Sequence, residues 1–305
     1  MNYLSLNTFL KDTFGCKVYK LAIDGGFTCP NRDGTIDTRG CIFCSGSGSG
    51  DFASSRNLSI RDQIEEGKKR VSGKIREGKY IAYFQAFTNT YADISVLRDK
   101  YTQAINHPDI VAISIATRPD CLSENVLNLL SELNMIKPVW VELGLQTIHE
   151  KTADFIRRGY SLSVYDKVIH DLKERNIYTI VHVILGLPAE TEDMILETVK
   201  YVCDSGIDGI KLQLLHIIEG TDLCRLYRLA HSVESEKIGL PDCMKEFECM
   251  DLDTYASLIA KCIEIIPNNI CIHRMTGDGD KRTLVAPLWS GDKKRVLNTI
   301  NKRLS

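Results

Sequence analysis

Gly25-Gly-Phe-Thr-Cys-Pro-Asn-Arg-Asp-Gly-Thr-Ile-Asp-Thr-Arg-Gly-Cys-Ile-Phe-Cys44 is the stretch on which the reading of this chain turns. It places three cysteines, Cys29, Cys41 and Cys44, in one glycine-rich loop after an apolar run at 17–23. Cys41 and Cys44 form a Cys-x-x-Cys, a spacing that lets two thiolates point at one centre. Asp33-Gly34 has the composition of a turn that folds Cys29 back toward that pair. Three thiolates are one short of a closed structural site, zinc or iron–sulfur. The set is therefore either a cluster with one open iron or a site finished by another residue. Cys16 is the available fourth ligand for zinc, although it opens a strand and structural zinc ligands usually come in close pairs. A catalytic Cys-x-x-Cys of thioredoxin type is a third arrangement, and it leaves Cys29 unexplained.

The other cysteines read as ordinary thiols. Cys121, Cys203, Cys262 and Cys271 stand in apolar sequence and suit buried small hydrophobes. Cys224, Cys243 and Cys249 lie in a charged segment where nothing pairs them. Eleven cysteines in 305 residues are too sparse for a disulfide scaffold. A net charge of −2, 44% hydrophobic and 26% charged residues exclude a disordered or collagenous chain. Met1 to Gly15 is polar and mixed, which predicts no signal peptide. The longest apolar run, around Ile180 to Leu187 and interrupted by His182, is too short to span a bilayer. The expectation is a cytoplasmic protein with reduced thiols and no membrane association.

Outward from the loop, apolar β-branched runs alternate with amphipathic stretches. Strands are predicted at 17–23, 80–85, 109–115, 139–145, 178–185 and 209–214. Helices are predicted at 94–105, 124–133, 162–175 and 193–204, with Ser123 as an N-cap and Leu122 and Leu127 as a staple. Several strands are apolar on both faces, as in a parallel sheet covered by helices. The β-then-α order gives an α/β class. Six such units form either an open barrel related to the closed eight-fold form or a doubly wound sheet, and periodicity does not choose. Composition shifts after Gly220. Residues 219–250 are charged, an amphipathic helix opens at Asp251 and stops at Pro267, and a short strand follows at 269–273. The division is a core at 1–215, carrying the loop at 25–50, and an α/β extension at 216–305 packed on it.

The loop, with Phe43 just before the last cysteine, resembles the cluster loop of radical S-adenosylmethionine enzymes. That superfamily usually leaves three residues between its first two cysteines, whereas eleven stand between Cys29 and Cys41. Eleven is the pattern of one subfamily, the YhcC/YtqA proteins, whose wider relatives include the Elongator catalytic subunit. The resemblance extends over Tyr83-Phe-Gln-Ala-Phe-Thr-Asn-Thr-Tyr91, Thr117-Arg-Pro-Asp-Cys-Leu122, Trp140-Val-Glu-Leu-Gly-Leu-Gln-Thr147, Ile184-Leu-Gly-Leu-Pro188, Gly209-Ile-Lys-Leu212 and His273-Arg-Met-Thr-Gly-Asp278. It implies an open, partial (β/α)6 TIM-like barrel. It also implies a 4Fe-4S cluster on Cys29, Cys41 and Cys44 whose fourth iron takes the amino and carboxylate groups of S-adenosylmethionine. One-electron cleavage then releases a deoxyadenosyl radical that takes hydrogen from the substrate.

In such barrels the site lies at the strand C-termini, which gives the remaining candidates. Gln85, Thr88 and Asn89 are placed for the methionine end of the cofactor, and Glu142 and Gln146 for its ribose. The turn at Gly186 and the ring of Phe43 are placed for the adenine. Arg118 and Arg158 are the candidate carboxylate partners, because guanidinium forks suit that group. Tyr83 and Tyr91 are candidate radical relays. His182 on an apolar strand reads first as a core residue, and His273-Arg274 as a pair that reaches the barrel mouth. Local basic runs at Lys68-Lys-Arg70 with Lys74, Arg76 and Lys79, and at Lys293, Lys294, Arg295, Lys302 and Arg303, read as solvated faces. The resemblance adds transfer RNA as substrate, with carboxymethylaminomethyl wobble uridine trimmed to the aminomethyl form, and an electron donor such as flavodoxin or ferredoxin. The other readings are a radical enzyme acting on a small metabolite or peptide, a zinc-binding nucleic-acid module, and a thiol–disulfide oxidoreductase.

Overall fold

The computed structural model describes residues 3–48, 50, 53–74, 78–233, 239–277, 279 and 281–304. Helix α1 (Leu6–Phe14) leads into β1 (Val18–Ile23), and the cysteine loop follows. Then come α2 (Ile60–Val71), β2 (Lys79–Phe84), α3 (Ile94–Ile105), β3 (Ile110–Thr117), α4 (Glu124–Asn134) and β4 (Val139–Gln146). The alternation continues through α5 (Glu150–Phe155), α6 (Leu162–Glu174), β5 (Tyr178–Leu185), α7 (Glu192–Asp204) and β6 (Gly209–Leu214). The last segment carries β7 (Ile217–Ile218), α8 (Asp222–Ala230), α9 (Asp242–Lys245), α10 (Leu252–Ile265), β8 (Cys271–Arg274), β9 (Leu284–Ala286) and α11 (Lys293–Leu304).

The six expected strands form a parallel, curled sheet in sequence order, an open TIM-like barrel. A seventh strand joins them. β8 comes from the C-terminal extension and pairs parallel with β6, so the sheet runs β1-β2-β3-β4-β5-β6-β8. The extension is thus part of the barrel wall as well as a cover on it. Its far edge meets the start of the chain, where the Ile272 amide donates to the Leu4 carbonyl at 2.8 Å. From there α1 crosses the strand N-termini. Leu10 packs with Val18, Ile81, Ala112, Trp140 and Ile180, and Phe9 sits 5.9 Å from Trp140 and 5.2 Å from Tyr178. This apolar plug closes the bottom of the barrel.

The helices cover the outer face of the sheet because the strands alternate. Val181 and Val183 of β5, Val141 and Leu143 of β4, and Ile113 and Ile115 of β3 point into the layer shared with the helices. Tyr101, Tyr165 and Tyr255 are fully buried there, and burying a large apolar side chain contributes roughly 2–3 kcal/mol. Helix starts follow cap chemistry. Thr191 accepts from the Met194 amide and Asp251 from the Thr254 amide. Ser123 holds the N-cap position of α4 but makes no capping hydrogen bond. The sequence pattern does not announce α2, since only Ile60, Gln63, Ile64 and Gly67 turn inward. Gly67 has a packing reason: a Cβ there would lie 3.3 Å from Leu21 Cβ.

A second, smaller core gathers at the strand C-termini. Ile42, Ile156, Ile184, Leu187, Leu215, Ile217, Leu223 and Met244 meet in it. It absorbs the thiols of the charged segment: Cys224 is buried within it, with Cys243 and Cys249 packed against it. Among the described residues no helix is long and apolar enough to cross a membrane.

The β6–β8 junction gives a test. A Cβ at Gly209 would stand 2.7 Å from the His273 ring and 3.2 Å from Ile180 Cγ1. Alanine is otherwise the better strand residue, so Gly209→Ala tests chiefly the close approach of His273 on β8, with a smaller part from Ile180. The expected loss is about 1–3 kcal/mol by urea unfolding; an unchanged midpoint would contradict the placement of the seventh strand.

Candidate active site

Backbone hydrogen bonds fold the long spacer between the first two cysteines back on itself. Arg32 and Asp33 amides donate to the Cys29 carbonyl at 2.8 and 3.1 Å, and the Ile36 amide to the Pro30 carbonyl at 2.8 Å. The Gly40 amide reaches the Asn31 carbonyl at 2.7 Å, just before Cys41. Asp33-Gly34 is the expected turn: Asp33 Oδ1 accepts from the Thr35 amide, and Gly34 has φ +93°. Gly40 is required twice over, by φ +77° and by the Arg32 guanidinium, which lies 2.9 Å from where a Cβ would be. Arg32 in turn donates to the carbonyls of Cys44 and Ser45 at 2.9 and 2.7 Å. Buried Asn31 donates to the Arg157 carbonyl at 2.7 Å, and its amide nitrogen lies 3.5 Å from Cys41 Sγ.

Cys29, Cys41 and Cys44 line one cavity of about 290 Å³ at the strand C-termini. All three are half-buried and outside any disulfide. Burial, and then the neighbouring Cys44, push the Cys41 thiol up to about 11. Among the described residues no fourth cysteine lines the cavity. Cys16 packs in the bottom core, at the opposite end of β1, roughly 20 Å of strand away. A zinc site completed by Cys16 is excluded by that separation. Cys121 departs from its expected apolar setting: its sulfur lies 3.8 Å from Asp120 Oδ1.

The inner face of the barrel is polar. Glu142 on β4 is fully buried. It accepts from Lys20 Nζ of β1 at 2.6 Å, Ser114 Oγ of β3 at 2.5 Å and His182 Nε2 of β5 at 2.7 Å, and it pairs with Lys211 of β6. Lys211 also donates to the Tyr83 hydroxyl of β2 at 3.2 Å, and Gln213 lies 3.0 Å from His182 Nδ1. Burial alone would raise the Glu142 carboxyl; Lys20, Lys211 and His182 outweigh it and hold it well below the carboxylate range. Burial and then Lys211 draw His182 down to about 4, against its bond to Glu142. His182 is therefore a neutral, hydrogen-bonded wall residue. It lines the cavity with Tyr83, Glu142, Lys211, Gln213 and Arg274.

Phe43, Gln85, Thr88, Arg118, Gln146 and Arg158 line the same cavity. Phe43 packs on the second core. The Gln85 and Thr88 amides bond to the Ile23 and Thr28 carbonyls at 3.2 and 3.1 Å, which extends the β1–β2 pairing to the rim. Arg118 forks onto Asp120 at 2.9 and 2.7 Å. Arg158 reaches the Thr147 carbonyl at 2.7 Å and Glu150 at 3.0 Å. Both guanidinium groups lie against the Tyr160 ring, 5.2 and 4.8 Å from its centroid, so these arginines are already committed within the protein. Asn89 and Gly186 stand outside the lining. Asn89 ties the β2–α3 connection to the Ala116 carbonyl at 2.8 Å, and Gly186, at φ +85°, backs onto Met250. Tyr91 is also outside the lining, bonded to Thr35 at 2.8 Å. His273 is not at the mouth: it packs at the bottom against Trp140 and Tyr178, and Arg274 alone of that pair lines the cavity.

The donor set fits an iron–sulfur cluster with a bound sulfonium nucleoside. Three thiols share the cavity rim, as one open iron requires. Gln146 Oε1 is a buried acceptor with no partner among the described residues, presented from a β-bulge at φ +73°. It is matched to a ribose hydroxyl or an ammonium. Phe43, Ile156, Ile184 and Leu215 supply an apolar wall for a base. Lys20, Ser114 and Gln213 escape motif reading, and Lys211 lies in a quoted motif without having been singled out. Their signal is period two: each alternates with apolar residues that face the helices, so each points inward.

The neutral His182 carries a pH signature. Between pH 6.5 and about 4 the unfolded chain takes up that proton and the folded chain does not. Stability therefore falls as pH drops through this window. His182→Gln, which keeps a donor for Glu142, should flatten that part of the curve by on the order of 1–3 kcal/mol, read by urea unfolding at pH 7, 6 and 5.

The Radical SAM superfamily matches residues 37–202 and the Radical_SAM C-terminal domain matches residues 243–305. The chain is 45% identical over 302 residues to YtqA of Bacillus subtilis, covering 99% of this chain and 89% of that protein. It is 30% identical over 121 residues to the tRNA uridine(34) acetyltransferase of Methanocaldococcus jannaschii, 39% of this chain and 22% of that one. In fold it is similar to the archaeal Methanocaldococcus infernus Elp3 with an N-terminal deletion, with TM-score 0.64 and 19% identity, over 94% of this chain and 63% of that one. With its three thiols gathered at the mouth of an open parallel barrel, the chain belongs to the radical SAM superfamily, within the family of YhcC and YtqA.

Proposed function

We propose that this enzyme modifies the wobble uridine of transfer RNA, trimming a carboxymethylaminomethyl group to the aminomethyl form. The observation that carries the chemistry is the convergence of Cys29, Cys41 and Cys44 on one cavity with no fourth cysteine among the described lining residues. They would hold a 4Fe-4S cluster by three thiolates. When bound, that cluster supplies the electron that cleaves S-adenosylmethionine and so delivers a deoxyadenosyl radical to take hydrogen from the substrate. The protein's own part is placement and exclusion of water. Arg32 and Gly40 fix the loop, the apolar wall takes the adenine, and Gln146 takes a polar hydrogen of the cofactor. The methylene between amine and carboxylate is the substrate position from which hydrogen is removed. The carbon radical would return one electron to the cluster, and water would hydrolyse the resulting imine to the aminomethyl uridine and glyoxylate, with S-adenosylmethionine as the net two-electron oxidant.

The RNA reading is supported by the relative named for uridine 34 of tRNA. The basic tail adds to it: α11 buries Val296, Ile300 and Leu304 and carries Lys293, Lys294, Arg295, Lys302 and Arg303 along its length. The other basic run is weaker support. In α2, Lys68 is engaged by Glu65 and Asp109 and Arg70 by Glu66, while Arg76 lies outside the described residues. A flavodoxin- or ferredoxin-type protein is the proposed electron donor.

Anaerobic reconstitution should give a brown protein with about four irons per chain that cleaves S-adenosylmethionine. Cys29→Ala, Cys41→Ala and Cys44→Ala should each lose both properties, and a protein unable to bind iron defeats the reading. For the substrate, transfer RNA from a deletion strain is digested and analysed by mass spectrometry. The carboxymethylaminomethyl nucleoside should accumulate at the expense of the aminomethyl form. An unchanged profile removes the RNA substrate and leaves the cluster chemistry standing.

A further inference from the structure

Inside the barrel two ammonium groups share one carboxylate. A carboxylate offers about four acceptor positions, and Lys20, Ser114, His182 and Lys211 fill those of Glu142. Lys211 has three donors. One goes to Glu142 and one to the Tyr83 hydroxyl at 3.2 Å; among the described residues nothing takes the third. The side chain is 5% exposed, and what it shows faces the cavity.

A positive charge shielded from water either loses its proton or acquires an anion. With protein groups alone, burial draws the Lys211 ammonium down to about 7; Glu142 opposes this, while Lys20 and Arg274 push the same way. Tyr83 of β2 and His182 of β5, both uncharged, complete its surroundings. Lys20 and Lys211 are thus two cations on one carboxylate, with Arg274 acting on Lys211 from the same cavity. We infer that Lys211 anchors a carboxylate of the bound substrate from the wall of β6.

S-adenosylmethionine also carries a carboxylate, but depth separates the two. The cofactor's amino-acid end belongs with the cysteines at the strand ends. Lys211 is the third residue of β6, in register with His182, three residues before the strand ends at Leu214. That is roughly 10 Å deeper. The substrate's identity, though not the presence of its carboxylate, rests on the function proposed above.

The test uses reconstituted full-length holoenzyme with S-adenosylmethionine bound. Its ligands are an anticodon stem-loop carrying carboxymethylaminomethyl uridine and the same stem-loop with the carboxylate converted to its amide. Lys211→Gln should weaken the carboxylate ligand at least tenfold and the amide less than twofold, with cofactor affinity unchanged. Lys211→Arg keeps the charge on Glu142 and should retain the preference for carboxylate. Proton uptake on binding the carboxylate ligand should occur near pH 8 in the wild type and vanish in Lys211→Gln. Equal loss of both ligands, or loss of cofactor affinity instead, overturns the inference. A second arm needs no RNA: line broadening of labelled acetate by wild-type holoenzyme should be lost in Lys211→Gln. If the stem-loop does not bind at all, the proposed substrate fails and this acetate arm decides the inference, an absence of Lys211-dependent broadening overturning it.

Discussion

Glu142 sets the terms for the rest of this protein. Its carboxylate is fully buried, and it binds side chains from β1, β3, β5 and β6. In a flat sheet β1 and β6 would stand five strand spacings apart, about 24 Å. Lys20 and Lys211 nevertheless meet on one carboxylate, which requires the sheet to curl. Barrel interiors are ordinarily filled with branched apolar side chains, and buried ion pairs are often no more stabilising than such packing. Here the charged interior forms one wall of the cavity that the cysteines complete.

The cysteine loop has little apolar content of its own, and the C-terminal segment supplies what holds it. Leu223 of α8 donates its amide to the Ile42 carbonyl at 2.9 Å, and Ile42 donates to Ile156 at 3.2 Å. Arg157 pairs with Asp222 at 2.6 Å beside that contact. Ile42 and Phe43, the residues between Cys41 and Cys44, thereby anchor in the second core. The thiols are fixed by packing on one side and by Arg32 and Asn31 on the other, so their geometry does not depend on the loop's intrinsic preferences. The charged segment, which looks inert by composition, turns out to position the site.

Much of this was legible before any coordinates. The βα alternation named the fold class because strands covered on both faces read as continuous apolar runs. The Cys29–Cys41–Cys44 spacing left a cluster, a zinc site and a redox pair open; the resemblance of the loop to the cluster loop of radical S-adenosylmethionine enzymes chose among them. Gln85, Thr88 and Gln146, expected at strand ends from the barrel that the resemblance implies, do line the cavity. Asn89 and Gly186 were not separable from them, since a loop's hydrogen bonds decide whether a side chain faces the cavity or the sheet. His273 shows the same limit, being carried to the bottom of the barrel by the register of a strand in the extension.

Sequence by itself therefore determined the class of the fold, the three thiols and the end of the sheet at which they lie. These depend on local chemistry: period, turn residues and ligand count. Tertiary structure alone decided that a seventh strand from the extension extends the wall and that Cys16 stands apart from the other thiols. It also decided that Lys20, Ser114, His182 and Lys211 converge on Glu142. Those facts concern residues far apart in the chain, brought together by sheet curvature and strand register. A charge in an apolar strand tells which face it occupies; only the closed fold tells what it meets there.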